Sequence, residues 1–295
     1  MKLSGLGEDR LLAELLSTLG HKKDVVLPAG DDCAVVRAPR GKLIVLKCDC
    51  VVETVHFRKG TSPRSVGWKA MMRPLSDFAA VSALPRFALV TLMARTSTDR
   101  NWVRKVYAGL TDAGARFGVE IVGGETSKTS GPLSLSVSVF GYVEERRWVS
   151  RGGGKAGDDI FVTGRLGGSL RGQHLTFVPR IAESRWLTAN FRIHAMMDLS
   201  DGLGADLPRL AKASGLGFRI DEASLPLNPK CSVRNAISDG EDYELLFAVS
   251  PRDSARLERG WKKKFPRVAL TRIGRLNRKS EIGNPKFSRG YVHFK

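Results

Sequence analysis

The sequence lacks the patterns that mark zinc-binding, disulfide-rich, membrane-spanning and secreted proteins. Its 295 residues include four cysteines, which show neither the paired spacing of a structural zinc site nor an extracellular disulfide framework. No apolar run reaches the roughly 18 residues of a transmembrane helix. The first ten residues carry charges before any apolar stretch, which is not typical of a signal peptide. These absences predict a cytoplasmic protein with reduced thiols and no membrane partner.

Acidic residues are also scarce relative to basic ones. The chain has 48 Lys and Arg against 30 Asp and Glu, a formal net charge of +18. From Pro251 to Lys295, fourteen basic residues accompany three acidic ones. Such a concentration can attract nucleic acid or polyphosphate, or it can be a solvated helix face. Because no nucleic-acid-binding motif accompanies the charge, the second interpretation is favoured and a nucleic-acid partner is not expected.

Many of the carboxylates fall in short clusters rich in Gly, Ser and Thr. Carboxylates are costly to gather unless a cation or a proton neutralises them. Oxygen ligands without His or Cys at ligand spacing indicate a hard cation such as Mg²⁺. An acidic, glycine-lined metal site within a basic chain suits an enzyme that acts on polyphosphates. The clusters are Gly30–Cys33, Cys48–Cys50, Leu75–Asp77, Gly123–Thr126, Asp198–Gly202 and Asp239–Asp242.

The alternation of predicted elements indicates two α+β domains, with a boundary near residue 150 and hence domains 1–150 and 151–295. Pro74 is predicted to kink or end the helix that contains it. The strand 119–122 is predicted to end in Gly123 and Gly124, which would turn backbone N–H groups toward a phosphate. Helices are predicted at 11–19, 62–83, 100–117, about 180–189, 203–213 and 251–264. Strands are predicted at 33–37, 42–52, 87–93, 119–122, 133–143, 159–163, 194–198, 217–221, 243–249 and 268–274.

Seven segments resemble, in the same order, the motifs of the thiamine-monophosphate kinases. This family belongs to an ATP-binding superfamily with aminoimidazole ribotide synthase and selenophosphate synthetase. The resemblance implies a two-domain aminoimidazole ribotide synthase-like fold, a homodimer formed through the N-terminal sheets, and an active site between the domains. It also implies ATP- and Mg²⁺-dependent conversion of thiamine monophosphate to thiamine diphosphate. The segments are GDDCAVV, DCVVETVHF, KAMMRPLSDFAA, GGETS, RGGGKAGDDIFVTG, MDLSDGL and SDGEDYELLF.

The resemblance further implies roles for individual residues. For Asp31, beside Asp32, a role at the site and a plain Asx-turn are equally good explanations. Ser200 or Asp201 could instead cap the helix that follows. His56 could be structural, and Tyr291 and Phe294 could fill a core as readily as contact thiamine. The implied ligands of several Mg²⁺ ions are Asp32, Asp49, Asp77, Glu125, Asp198 and Asp201; those of ATP are Gly124, Glu125, Arg151 and Ser200; those of thiamine monophosphate are His56, Glu241 and Phe294.

Several positions depart from the family pattern. Cys48 and Cys50 replace hydroxyl residues beside Asp49, and strand alternation places both on the face opposite Asp49, where small buried hydrophobic roles are predicted. Glu125 replaces an Asp and Pro74 replaces an Asn.

Two alternatives to the kinase activity stay open. The chain could have another ATP-dependent activity of the superfamily, or it could be a non-catalytic nucleotide-binding paralogue.

The proposed acceptor explains why no general base is predicted. The second pKa of a phosphate monoester is about 6, so the acceptor is already mostly dianionic at pH 7. Catalysis would then consist of positioning and charge neutralisation, which accounts for many carboxylates and no Ser/His/Asp triad.

Overall fold

The computed structural model describes residues 25–27, 31–38 and 42–278, so the helix predicted at 11–19 lies outside the described residues. Two β-sheets with packed helices form this part of the chain. None of its helices is both long and apolar enough to cross a membrane. The strands are β1 Val25–Leu27, β2 Ala34–Arg37, β3 Lys42–Val52, β4 Leu84–Ala94, β5 Glu120–Lys128, β6 Ser134–Glu144, β7 Asp159–Thr163, β8 Ile193–Asp198, β9 Gly217–Ile220, β10 Leu245–Val249 and β11 Leu270–Asn277. The helices are α1 Pro63–Ala80, α2 Arg100–Arg116, α3 Ile181–Asn190, α4 Leu203–Ala213, α5 Val233–Ser238 and α6 Pro251–Lys264.

The N-terminal sheet has six strands in the order β1-β2-β3-β6-β4-β5. β4 and β5 are parallel, and the other neighbours are antiparallel. α1 packs on one face of this sheet and against α2. Because side chains alternate along a strand, β3 buries Leu43, Val45 and Val51 under α1 and directs Leu46 and Cys48 to the opposite face.

That opposite face carries large apolar side chains that no described element covers. We call it the open face and define it by Leu46, Phe87, Leu89, Val122 and Phe140, whose side chains are between 37% and 56% exposed. Cys48 and Cys50 are exposed on the same side of β3. The prediction that these cysteines are buried is therefore wrong for the part of the chain that the structure describes. Strand alternation places them on the face opposite Asp49, but it does not show which face of the sheet other elements cover.

The C-terminal sheet has five antiparallel strands in the order β8-β10-β7-β11-β9. Every residue of β7 and β10 is buried, which explains the continuous apolar runs 160–162 and 245–249. Ile160 and Val162 face a cluster that includes Leu207 of α4. On the other face the rings of Phe161 and Phe247 stack at 5.6 Å and belong to the core that continues into the N-terminal domain.

α1 runs without interruption through Pro74 to Ala80, so the helix does not end at the proline. Its residues are buried on several sides because it contacts the N-terminal sheet, α2, α3 and β8. Pro74 is itself buried, and it has no N–H to donate to the carbonyl of residue 70. Packing on all sides outweighs the loss of that one hydrogen bond.

β5 is longer than predicted and passes through both glycines. Gly123, Gly124 and Glu125 pair with residues 89–91 of β4 in parallel register. A Cβ at Gly124 would lie 1.9 Å from the carbonyl oxygen of Val90, so this glycine permits close strand pairing. The strand therefore does not end in a turn at 123–124, contrary to the prediction.

Candidate functional site

Three buried carboxylates from distant parts of the chain meet where the two domains adjoin. Asp32 precedes β2, Asp77 lies near the end of α1, and Asp198 is the last residue of β8. One carboxylate oxygen from each lies within 4.8 Å of the others, and the three are at most 7% exposed. We call them the acidic triad. The fold thus gathers three of the six predicted Mg²⁺ ligands at one point.

The acidic triad fits a divalent cation. Oδ1 of Asp32 accepts a 2.7 Å hydrogen bond from Arg151, whereas its Oδ2 is buried without a hydrogen-bond partner. Burial, and then the charge of Asp32, raises the pKa of Asp198 to about 7. Burial also raises the pKa of Asp77 well above its ordinary value. Crowded carboxylates with an unpaired oxygen are the arrangement that a hard cation stabilises.

Asp49 lies beside the acidic triad but is paired with cationic side chains. Nζ of Lys47 lies 3.8 Å from Asp49 and 3.1 Å from Asp77, and the guanidinium of Arg73 lies 3.8 Å from Asp49. Although burial alone would raise it, Lys47 and Arg73 lower the pKa of Asp49. Sequence analysis missed both cations. The spacing could have revealed them, since Lys47 and Asp49 are i,i+2 on a strand, and Arg73 and Asp77 are i,i+4 on a helix.

Arg151 joins the N-terminal turn to the start of the second domain. Its backbone N–H donates to Oδ2 of Asp31 at 3.0 Å, and its guanidinium contacts Asp32. Oδ1 of Asp31 also accepts from the backbone N–H of Asp32 at 2.8 Å, a local turn contact. Asp31 therefore orders the turn and places Arg151 beside the acidic triad.

Asp201 and Ser200 follow β8, and neither caps α4. The N-cap is Gly202, with no side-chain hydrogen bond, so the capping alternative is wrong. Asp201 forms a short ion pair with Arg209, which also contacts buried Asp206 at 3.0 Å. The backbone N–H of Asp201 donates to Asp206 at 2.9 Å. The structure thus pairs Asp201 with an arginine, and Asp201 is not part of the acidic triad.

The predicted substrate residues His56 and Glu241 meet at a lysine that sequence analysis missed. Lys69 of α1 is fully buried and donates to the carbonyl of His56 at 2.6 Å and to Oε2 of Glu241 at 2.7 Å. Nδ1 of His56 accepts from the backbone N–H of Val52 at 3.1 Å. Burial lowers the pKa of Lys69 to about 8, against the opposing effect of Glu241. The hydroxyl of Tyr243 lies 3.5 Å from Glu241, and its ring stacks on Phe177 at 3.8 Å. We call Lys69, His56 and Glu241 the lysine cluster.

Gly124 and Glu125 lie apart from these groups. Both are exposed on β5, and Glu125 accepts a long 3.4 Å hydrogen bond from Ser127. Glu125 pairs with Thr91 and is not a member of the acidic triad. Phe294 and Tyr291 lie outside the described residues.

The sequence matches two family models. The N-terminal domain of "AIR synthase related protein" matches residues 30–143, and its C-terminal domain matches residues 149–259. The chain is 35% identical to the thiamine-monophosphate kinase of Rhodopirellula baltica over 97% of each chain. It is 32% identical to that of Aquifex aeolicus over the full length of both, and 33% identical to that of Escherichia coli K12 over 85% of both.

Several solved structures superpose on this chain. A structure described as AaThiL complexed with AMPPCP and TMP superposes with a TM-score of 0.84, at 31% identity over 99% of both chains. A structure from Thermus thermophilus, described as tt0281, gives a TM-score of 0.83 at 26% identity over 94% of this chain and 96% of that one. The hydrogenase maturation protein HypE of Escherichia coli, at 17% identity and a TM-score of 0.68 over 92% of both chains, shares the fold.

Proposed function

The chain belongs to the thiamine-monophosphate kinases of the AIR synthase related family, and on that premise we propose that it transfers the γ-phosphoryl group of ATP to thiamine monophosphate. The products are thiamine diphosphate and ADP. The observation that carries the proposal is the acidic triad with the unpaired Oδ2 of Asp32, in a chain that matches the AMPPCP and TMP complex over 99% of its length. This similarity favours the kinase reaction over other activities of the superfamily.

The acidic triad is the proposed Mg²⁺ site. Mg²⁺ takes carboxylate and phosphate oxygens as ligands, and when bound it neutralises the charge between the two substrates. The sequence also predicts Asp49, Asp201 and Glu125 as ligands of further ions. In the structure their nearest partners are Lys47 and Arg73, Arg209, and Ser127, respectively.

The residues of the chain position two anions for direct in-line transfer. An oxygen of the thiamine monophosphate dianion forms a new P–O bond with the γ-phosphorus as the bond to the ADP oxygen breaks, so no proton needs to be removed. Arg151 is the proposed clamp for ATP phosphates, because its planar guanidinium matches phosphate oxygens. Gly124, Glu125 and Ser200 remain predicted ATP contacts.

The lysine cluster is the proposed acceptor end of the site. His56 and Glu241 are the predicted contacts of thiamine monophosphate, and Lys69 orients both through its hydrogen bonds. Arg73 contacts Asp49 and donates to the carbonyl of Cys50 at 3.0 Å, and the charges that act on it include those of both Asp49 and Glu241. A cation in this place suits a dianionic acceptor. Phe294 stays a predicted aromatic contact.

The open face is the proposed homodimer interface. A cavity of about 720 Å³ on it is lined by Leu46, Phe87, Leu89, Val122 and Phe140. An exposed apolar patch of this kind marks an association surface. We propose a second copy of the chain as the partner, because in a twofold dimer the same patch on each chain covers the other.

A cytoplasmic location also stays a prediction.

The decisive experiment incubates the purified chain with ATP, Mg²⁺ and thiamine monophosphate. Thiamine diphosphate and ADP should form in equal amounts, and Asp198→Asn should form neither. Asp112→Asn, on the exposed face of α2, is the matched control and should behave as the parent. ATP binding without any thiamine diphosphate would support the non-catalytic paralogue instead.

A further inference from the structure

Lys47 places a positive charge among the carboxylates of the site. It lies on the α1-facing side of β3, two residues from Asp49 and therefore on the same face. Its ammonium is 3.1 Å from Oδ2 of Asp77 and 3.8 Å from Oδ2 of Asp49. At these distances the ammonium forms ion pairs with both carboxylates.

The position of this ammonium conflicts with a divalent ion that bridges Asp49 and Asp77. Mg²⁺ would hold an oxygen of each carboxylate at about 2.1 Å. Nζ of Lys47 already lies within 4 Å of an oxygen of each of those carboxylates. Arg73 is a second cation near Asp49, at 3.8 Å, and its Nε is buried without a hydrogen-bond partner. The chain itself therefore neutralises Asp49.

The opposite end of the acidic triad differs. Asp198 accepts a 2.6 Å hydrogen bond from Ser76, a neutral group, and Oδ2 of Asp32 has no partner. Arg151 contacts only the other oxygen of Asp32. Asp32 and Asp198 thus leave negative charge that a divalent ion would neutralise. At Asp49 the side chains of Lys47 and Arg73 already do so.

We propose that Lys47 acts as a built-in cation between Asp49 and Asp77, so that the site takes one divalent ion fewer than its carboxylates alone would bind. The inference rests on the proposed function only in that the divalent ions are those of the kinase site. Its consequence is that part of the positive charge at the carboxylates of the site does not depend on the Mg²⁺ concentration.

The test counts Mn²⁺ ions bound per chain by equilibrium dialysis, with a nonhydrolysable ATP analogue and without turnover. Lys47→Met should bind one more Mn²⁺ per chain than the parent, because Asp49 and Asp77 then lack their cation. Lys105→Met removes an exposed lysine of α2 and should match the parent. An equal count in parent and Lys47→Met would overturn the proposal.

A second pair of variants decides the question even if Lys47→Met does not fold. Asp49→Asn should keep the parent count, whereas Asp198→Asn should lose one ion. If Asp49→Asn also loses an ion, Asp49 is a metal ligand and the proposal is wrong. Because dialysis needs no product, these counts stand whether or not the chain forms thiamine diphosphate, so the two proposals fail separately.

Discussion

The two faces of the N-terminal sheet use the same strands for different purposes. On the α1-facing side, β3 presents Lys47 and Asp49 to Asp77. On the open face the neighbouring residues Leu46 and Cys48 are exposed. The strand alternation that hides one set of side chains exposes the other. One strand can therefore serve the chemistry on one side and association on the other, and a substitution should affect only the face that it changes.

The largest effect is expected on the α1-facing side. Asp77→Asn removes a charge from the acidic triad and leaves Lys47 without its 3.1 Å partner. We expect kcat to fall at least ~1000-fold, about 4 kcal/mol of transition-state stabilisation. Steady-state kinetics at saturating Mg²⁺ measures this, with Asp112→Asn as the control. Near-parental kcat for Asp77→Asn would remove Asp77 from the metal site.

A smaller effect is expected at the lysine cluster on the same side. Lys69→Met removes the donor that orients Glu241 and His56. We expect the KM for thiamine monophosphate to rise about tenfold, ~1.4 kcal/mol, and the KM for ATP to stay within about twofold. Equal changes in both KM values would indicate general damage to the fold rather than a role at the acceptor end.

The pH dependence of the KM for thiamine monophosphate also tests the role of Lys69. The pKa of Lys69 is about 8, lowered by burial, and Glu241 and Arg73 are the charged groups that act on it. As the pH rises through this value the ammonium loses its proton, and the parent KM for thiamine monophosphate should rise. In Lys69→Met this rise should be absent. A rise of the same size in both proteins would assign the titration to another group.

On the open face the expected change is in assembly. Leu89→Glu would place a carboxylate in the proposed dimer interface, and we expect dimerisation to weaken at least ~30-fold, about 2 kcal/mol. Light scattering during size-exclusion chromatography measures the mass. The Mn²⁺ count should not change, since the acidic triad lies within one chain. An unaltered dimer would move the interface elsewhere.

The smallest effect is expected for Cys48→Ser. The thiol is exposed and lies 3.1 Å from the hydroxyl of Ser136, which a serine hydroxyl can also contact. We expect kcat within about twofold and the free energy of unfolding within about 0.5 kcal/mol of the parent. Thermal unfolding and kinetics measure both. A large loss would mean that the open face and the catalytic face are coupled.

Several elements have local signals strong enough to be predicted from the sequence. β3 and the helices 203–213 and 251–264 have the predicted bounds, because the apolar period and the flanking Gly and Pro residues specify them locally. The ordered motifs also identified the family and most residues near the site. The alternation in β3 correctly separated Asp49 from Cys48 and Cys50.

The partners of the side chains depend on how the chain packs in three dimensions. The path of α1 through Pro74 depends on packing from four neighbouring elements, and the path of β5 through Gly124 depends on the carbonyl of Val90. Asp32, Asp77 and Asp198 are far apart in the chain, so no local pattern could show that they form a triad. Lys47 and Lys69 resemble ordinary surface lysines until the fold places them against carboxylates. Charge pairing depends on distance in space, and packing within and between the two domains sets that distance.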